Sequence, residues 1–212
     1  MKREVTAICV GSAREFRDGE TSAIGKQPLA GLVQIDIDGL VPDEQADRKV
    51  HGGPEMAIHL YPADHHAFWR ERLDDHPLLS EPGAFGSNLS VSDLTEEDVH
   101  IGDRFRLGTA LLEVSQPRQP CWKIEHRFGV KKMVATIIQT ARCGWYFRVI
   151  QEGEAQAGDM LERVSIGARD WSVARTFTAL IAGKGSREEL RELSELKSLA
   201  PKLKAKARAK LG

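Results

Sequence analysis

The stretch Gln116-Pro117-Arg118-Gln119-Pro120-Cys121-Trp122-Lys123 organises the interpretation of this chain. It follows residues 109–115, a run with clean strand character, and its two prolines predict the end of that strand. Each proline fixes its own φ and pushes the preceding residue into extended geometry. The sequence therefore predicts a cysteine on a stiff turn at a strand end, with Arg118 and Lys123 beside it.

The setting of Cys121 favours a functional thiol over a structural one. Nearby cations stabilise the thiolate, which is the form that attacks substrates or binds metals. The alternative is a buried, inert cysteine, a common role for this residue type. Two prolines and two flanking cations favour function at Cys121. Cys9, inside the first predicted strand, and Cys143, which lacks flanking prolines, are expected to be structural.

The composition is that of an ordinary soluble protein. The 212 residues include 30 Lys and Arg against 31 Asp and Glu, a formal charge of −1, so no global field points to nucleic acid or an anionic membrane. Three cysteines do not make a disulfide framework and suggest a reducing compartment. No apolar run approaches the roughly twenty residues of a membrane span. We expect a cytoplasmic protein with no membrane association.

Up to residue 164, short strands alternate with turns that contain Gly and Asp. This pattern predicts a mainly β fold with some α structure, an antiparallel β-barrel or sandwich. The predicted strands are 5–10, 32–38, 56–61, 89–91, 104–107, 110–115, 143–150 and 160–164, and the predicted helices are 62–73 and 133–140.

Residues 165–212 differ in composition and predict a small appendage of three helices. The first runs from about residue 171 to 182, and Ser186 with Glu189 forms a capping box for the second. The third, from about Leu199, carries lysines and arginine on its outer faces. Such a face could meet nucleic acid, but a solvated lysine face is favoured because no aromatic residues are interleaved for base stacking.

Two glycine-rich stretches could bind a ligand. In Arg48-Lys49-Val50-His51-Gly52-Gly53-Pro54, two cations and paired glycines suit an anion-binding nest or a plain turn. The loop 82–88 suits close approach to a planar ligand or a β-bulge. His59, His65, His66 and His76 show no spacing typical of zinc ligands, and the carboxylates at 36–47 lack the EF-hand pattern.

These motifs, in their order, resemble the MOSC domain, and specifically its bacterial YiiM-like branch. The matching segments are Gln116–Cys121, Asp43–Asp47, Val50–Pro54, Phe85–Leu89, Gly102-Asp103, and Gly144–Tyr146 with Arg148-Val149. The similarity covers residues 1–164 as the barrel domain, and residues 165–212 resemble the three-helix extension of that branch. Two departures lie in loops, where the family often has an acid in place of Ser87 and a glycine in place of Pro42.

The resemblance implies a barrel that binds the molybdenum cofactor (Mo-molybdopterin), with Cys121 as metal ligand and catalytic residue. It further implies an oxidoreductase that reduces N-hydroxylated compounds, such as 6-hydroxylaminopurine, with electrons from a separate, flavin-containing reductase. The resemblance leaves open whether the protein forms a homodimer. The residues expected to bind the cofactor through cations, a glycine nest or a loop wall are Arg48, Lys49, His51, Gly52, Gly53, Phe85, Gly86, Asn88, Arg118, Lys123 and Arg148.

Other functions use the same features. A non-catalytic carrier could hold the cofactor or sulfur on Cys121 and deliver it to another enzyme. A cysteine hydrolase would use Cys121 as nucleophile with His126 or His51 as base, but the spacing fits no hydrolase signature. A nucleic-acid-binding module would use the third basic helix, and the near-neutral charge argues against it.

Overall fold

The architecture was obtained as a computed structural model, which describes residues 1–46 and 52–212. The strands are β1 (Lys2–Val10), β2 (Arg14–Arg17), β3 (Glu20–Ser22), β4 (Gln27–Pro28), β5 (Val33–Asp36), β6 (Gly39–Leu40), β7 (Ile58–Pro62), β8 (Leu89–Val91), β9 (Arg104–Leu107), β10 (Ala110–Pro117), β11 (Trp145–Gln151), β12 (Gly153–Ala155) and β13 (Met160–Ser165). The α-helices are α1 (His65–Arg72), α2 (Trp122–Phe128), α3 (Met133–Thr140), α4 (Val173–Leu180), α5 (Arg187–Glu195) and α6 (Pro201–Ala209), and 3₁₀ turns span Pro54–Met56 and Pro77–Ser80.

Seven strands close into a barrel in the order β13-β9-β10-β11-β7-β8-β1, and β1 pairs back onto β13. The expectation of a purely antiparallel barrel is wrong at one place, because β7 and β8 are parallel, with Leu60 opposite Leu89. Parallel neighbours need a crossover connection. Here α1 and the turn Pro77–Ser80 lie in that connection.

The barrel interior is filled by large apolar side chains. Phe105, Leu112, Val114 and Phe147 are buried, and the rings of Phe105 and Phe147 meet edge to face with centroids 5.7 Å apart. They come from β9, β10 and β11, whose inward positions recur with the two-residue period of a strand. This packing fixes the ends of β10 and β11, from which the cysteine turn departs.

The cysteine turn differs in detail from the sequence prediction. The strand β10 continues through Pro117, which lies opposite Trp145 in the ladder with β11. Cys121 then adopts extended geometry (φ −135°, ψ 166°) as the N-cap of α2, a short helix that the sequence analysis did not predict. The thiol is therefore placed between a strand end and a helix start.

The three C-terminal helices pack on the barrel and share its core. Phe177 of α4, Leu193 of α5 and Leu203 of α6 belong to the same cluster of buried residues as the barrel strands. The backbone N–H of Ala200 donates to the carbonyl of Ser115 in β10 at 3.0 Å. The capping box of Ser186 is confirmed, whereas a domain boundary at residue 164 stays a prediction.

Helices that could cross a membrane were sought throughout residues 1–46 and 52–212. None in that part of the chain is both long and apolar enough.

Candidate functional site

A pocket opens where the ends of β10 and β11 meet the loops before β7 and β8. It contains about 660 Å³ of empty space, a volume that includes open solvent. The lining residues that carry polar or aromatic chemistry are Ser22, Lys26, Asp43, Glu44, Gln45, His59, Phe85, Asn88, Arg118, Cys121, Lys123 and Tyr146. Arg118, Lys123 and Cys121, which lie close in sequence, are thus brought together with residues from distant loops.

Arg118 is the cation that the pocket leaves incompletely bonded. The side chain is buried, at 6% exposure, and its backbone N–H donates to the carbonyl of Gly144 at 3.0 Å. Its Nη1 atom is buried and has no hydrogen-bond partner within the described ranges. Burying an unsatisfied charged donor is costly, so native structures seldom retain one. The pocket therefore suits an anionic ligand at Arg118.

Lys26 is also buried, but Asp43 neutralises it. Its ammonium group forms an ion pair with the Asp43 carboxylate. The same carboxylate accepts hydrogen bonds from the Gly11 N–H at 2.8 Å and the Asn88 side-chain amide at 2.9 Å. Burial lowers the pKa of Lys26, and Asp43 opposes that shift. This ion pair therefore forms part of the pocket floor, and it offers little net charge to a ligand.

Asn88 ties three elements together. Its Nδ2 donates to the carbonyl of Cys9 in β1 as well as to Asp43, and its Oδ1 accepts the backbone N–H of His59 at 2.9 Å. Because its amide groups already have these partners, Asn88 positions the pocket wall. Its predicted contact with the cofactor stays a prediction.

His59 lies beside Arg118 and is a neutral imidazole. It is 3% exposed, and its Nδ1 hydrogen-bonds with the carbonyl of Gly86 at 3.1 Å. Burial, with the adjacent Arg118 cation, lowers the pKa of His59 well below its ordinary value. Its Nε2 has no partner among the residues that the structure describes. The ring centroid is 4.9 Å from that of Tyr146, so the two form one aromatic wall.

The loop before β8 presents Phe85 and Gly86 to the pocket. The ring of Phe85 is buried and stacks on Tyr61, with centroids 4.1 Å apart. Gly86 has φ +72°, and a Cβ there would lie 2.7 Å from the side chain of Ile24. Both residues thus line the pocket as predicted for this loop, and their contact with a planar ligand stays a prediction.

Cys121 is half-buried and lines the pocket, and Lys123, two residues further along the chain, lines it as well. The Lys123 ammonium group donates to the carbonyl of Thr21 at 3.2 Å and lies 4.0 Å from a Glu20 carboxylate oxygen. These contacts hold the β2–β3 hairpin against α2. Cys121, the N-cap of α2, and Lys123, in its first turn, thus both contribute to the pocket wall, although the sequence analysis had not predicted α2.

Several predicted site residues lie elsewhere or cannot be placed. Arg148 forms ion pairs with Glu55 and Glu113 and donates to the carbonyl of Ser198 at 2.9 Å, and it does not line the pocket. The N–H of Gly53 donates to the Gln45 side chain at 2.8 Å, and a Cβ at Gly52 would meet that same side chain. Arg48, Lys49 and His51 lie outside the described residues.

The other histidines and thiols have local partners. His126, the predicted hydrolase base, hydrogen-bonds with the carbonyl of Phe16 at 3.0 Å, and His65 with Glu96 at 2.7 Å. Burial raises the pKa of the Cys9 thiol to about 11 and that of Cys143 well above its ordinary value. Residues 1–46 and 52–212 contain no cluster of three or more His, Cys, Asp or Glu side chains able to hold a metal. A single thiol ligand such as Cys121 would need further donors from a bound group.

The lining residues that were not predicted as site residues include Lys26, Asp43, His59 and Tyr146. Asp43 and Tyr146 lie inside segments that carried the family resemblance, and His59 had been considered only as a zinc ligand. For Lys26, a lone lysine after Gly25, the sequence offers no signal. These residues are 16 or more positions apart, and only the barrel closure brings them together.

Comparison with known proteins now decides the family. The model of the MOSC domain matches residues 47–162, more than half of the chain. The chain belongs to the MOSC family. Three curated relatives span most of this MOSC protein: the uncharacterized protein YflK of Bacillus subtilis (47% identity over 82% of this chain and 80% of the relative), the protein YiiM of Escherichia coli (39%, over 74% and 70%) and a reductase of Gibberella moniliformis (38%, over 83% and 31%).

A solved structure supports the YiiM-like branch. The crystal structure of YiiM from Geobacillus stearothermophilus superposes with a TM-score of 0.82 at 30% identity, covering 99% of this MOSC chain and 100% of that protein. The alignment therefore includes the C-terminal helices as well as the barrel. The predicted family and branch are confirmed.

Proposed function

We propose that this MOSC protein is an oxidoreductase that reduces N-hydroxylated compounds at a molybdenum cofactor, with Cys121 as the metal ligand. Its membership of a family associated with that cofactor supports the proposal. The observation that carries it is the position of Cys121 in the lining of a pocket whose buried Arg118 guanidinium has no partner at Nη1 among the described residues.

The residues present fit a molybdenum–pterin group. A soft thiolate suits a metal that also carries sulfur donors. Arg118 offers an unpartnered guanidinium N–H to the phosphate, and Lys123 supplies a second buried cation in the same pocket. The aromatic wall of His59 and Tyr146 offers flat surface to the pterin rings. Arg48, Lys49, His51 and the nest at Gly52 and Gly53 remain proposed contributors to phosphate binding.

The reaction breaks one N–O bond. A substrate R–NH–OH takes up two electrons and two protons and leaves as R–NH₂ and water. When bound, the cofactor supplies the two-electron chemistry. Burial raises the pKa of Tyr146, so its hydroxyl keeps its proton and can donate a hydrogen bond to the oxygen that departs. Tyr146 lines the same pocket as Cys121.

The electrons are proposed to come from a separate, flavin-containing reductase, because the sequence has no recognisable flavin or nicotinamide motif. The Gibberella relative supports this division of labour. It is named a reductase, and the region shared with this chain is only 31% of its length, so most of that protein lies outside the shared part.

The test is the molybdenum and pterin content of protein purified from a molybdate-replete host. We expect near-stoichiometric cofactor in the wild type and a loss of at least tenfold in Cys121→Ala, because the metal–thiolate bond is removed. Cys143→Ala, which removes a buried thiol outside the pocket, is the control and should keep its cofactor. Equal content in Cys121→Ala and wild type would contradict the ligand assignment.

A second measurement separates enzyme from carrier. Loaded protein with a chemical reductant should turn over 6-hydroxylaminopurine repeatedly without any acceptor protein. Stoichiometric cofactor without turnover of any N-hydroxylated compound would instead support a protein that carries the cofactor on Cys121.

A further inference from the structure

A second pocket lies on the other side of Cys121, between the Pro117–Pro120 turn and α6. It encloses about 1110 Å³, part of it open to solvent. Met56, Cys121 and Tyr146 line both pockets, so the thiol and the tyrosine lie at their junction. A group held in the first pocket at Cys121 would therefore present its outer side to the second.

The chemistry of the second pocket differs from that of the first. Its walls are the indole of Trp122, the phenol of Tyr146, the rings of Pro117 and Pro120 and the side chain of Leu203. Two glutamine amides, at 116 and 119, and the side chain of Lys202 also line it, and the described residues place no carboxylate in its lining. Flat apolar faces combined with amides suit a planar ring that carries hydrogen-bonding nitrogens.

The helical wall of this pocket is a fixed part of the fold. Leu203 is buried in the common core, and Ala200 just before α6 is bonded to β10. The Lys206 ammonium group donates to the Gln119 side-chain oxygen at 3.1 Å, which joins α6 directly to the proline turn. The C-terminal helices therefore complete the surroundings of Cys121 from the outside.

We propose that the second pocket is the substrate subsite, and that it takes the ring of a planar N-hydroxylated heteroaromatic base with its N–OH group directed to Cys121. Trp122 and Leu203 are the specificity-determining residues. Trp122 provides a flat aromatic wall against which a ring can stack, and Leu203 provides an aliphatic wall that limits the size of the ring. The assignment of the ring to a reducible substrate rests on the function proposed above.

Binding can be measured without turnover. Trp122 is 38% exposed, whereas Trp69, Trp145 and Trp171 are at most 4% exposed. A ring that enters the second pocket should therefore quench Trp122 selectively. With full-length purified protein, 6-hydroxylaminopurine should give saturable quenching that Trp122→Phe abolishes. Leu203→Phe, which narrows the pocket, should weaken the apparent affinity at least fivefold. Leu211→Phe, the same change at a position that does not line the pocket, should not.

A kinetic comparison tests the reduction of the N–OH group as well as the binding of the ring. Loaded protein is assayed with 6-hydroxylaminopurine and with N-methylhydroxylamine, which has no ring to reach Trp122 or Leu203. In Trp122→Ala the ratio of kcat/KM for the ring compound to that for the small compound should fall about tenfold, the loss expected for one aromatic contact of about 1.4 kcal/mol. Molybdenum content should match the wild type.

The outcomes separate the two proposals. Quenching that survives unchanged in Leu203→Phe, or an unchanged kcat/KM ratio in Trp122→Ala, would overturn the subsite. Saturable quenching that the variants reduce, from a loaded wild type that reduces neither compound, would keep a binding site for planar bases and overturn the proposed reaction.

Discussion

At the scale of single residues, His59 makes the stability of the protein depend on pH. Its pKa is lowered in the folded state by burial, with Arg118 adding to the effect, so the folded protein binds fewer protons than the unfolded chain below about pH 6.5. A group with a lowered pKa in the folded state favours folding at higher pH. That contribution begins to be lost as the pH falls below the unfolded pKa, and the loss continues until the pH has fallen through the folded pKa.

We therefore expect cofactor-free wild type to lose up to about 1.4 kcal/mol more unfolding free energy between pH 7.5 and pH 5.5 than His59→Gln does. Urea denaturation at the two pH values measures the difference. The same replacement at the exposed His126 is the matched control for loss of one imidazole. An identical pH dependence in wild type and His59→Gln would show that His59 takes up its proton in the folded state.

The residue scale also shows where sequence patterns lose information. Cys121, Arg118 and Lys123 were predictable because they are neighbours in the chain and one rigid turn groups them. Their partnership with His59 and Lys26 was not, because no local pattern records which distant loops the barrel brings to that turn. The unpartnered Nη1 of Arg118 is visible only once its burial is known.

At the scale of elements, local signals of helix ends succeeded in two places and failed in one. Pro62, the first residue of the helix predicted over 62–73, is the last residue of β7, and α1 begins at His65. The capping box at Ser186 is present in both directions, with the Ser186 side chain accepting from the Glu189 N–H and the Glu189 carboxylate accepting from the Ser186 N–H. The helix α3 was predicted at residues 133–140 and is found there. By contrast, α2 has seven residues, too few for a helical period to appear in the sequence.

Ser186→Ala should cost about 1 kcal/mol of unfolding free energy, the usual effect of removing an N-cap hydroxyl. Ser12→Ala is the matched control, because Ser12 is exposed and lies outside every helix and strand, where such a change stays within about 0.5 kcal/mol. Chemical denaturation of the two variants beside wild type gives the comparison. Equal stabilities would mean that α5 is held by its packing alone.

The parallel pairing of β7 with β8 shows the limit at this scale. Strand periodicity reports which face of a strand is buried, and it carries no direction relative to a neighbour. Turn residues predict hairpins between successive strands, and the predicted strands 104–107 and 110–115 do pair in this way as β9 and β10. The strands β7 and β8 are joined through α1, so no turn signal specified their relative direction.

At the scale of the whole molecule, the barrel and the C-terminal helices share one buried cluster. Backbone hydrogen bonds also join them, from Ile101 to Trp171 at 2.9 Å and from Val173 to Val99 at 2.8 Å. Composition alone had predicted an appendage from residue 165, because charge and lysine content change there. The leucine pattern of these helices resembles that of any helix core, so it did not show that they share the core of the barrel. A shared core predicts that the two parts unfold together.

Phe177 of α4 provides the test, because it is fully buried in that cluster. We expect Phe177→Ala to lower the unfolding free energy by about 3–5 kcal/mol through lost burial and the cavity left behind. Two probes are followed during urea unfolding: far-UV circular dichroism and the fluorescence of the barrel residue Trp145, isolated in a Trp69→Phe/Trp122→Phe/Trp171→Phe background. Both should report the same single transition, shifted equally by Phe177→Ala.

The control is Lys184→Ala, at an exposed position near the end of α4. It should leave the urea midpoint reported by each probe equal to that of the background protein. If Phe177→Ala moved only a helical transition and left the Trp145 signal in place, residues 165–212 would be an independent folding unit, and α6 could not act as a fixed wall beside Cys121.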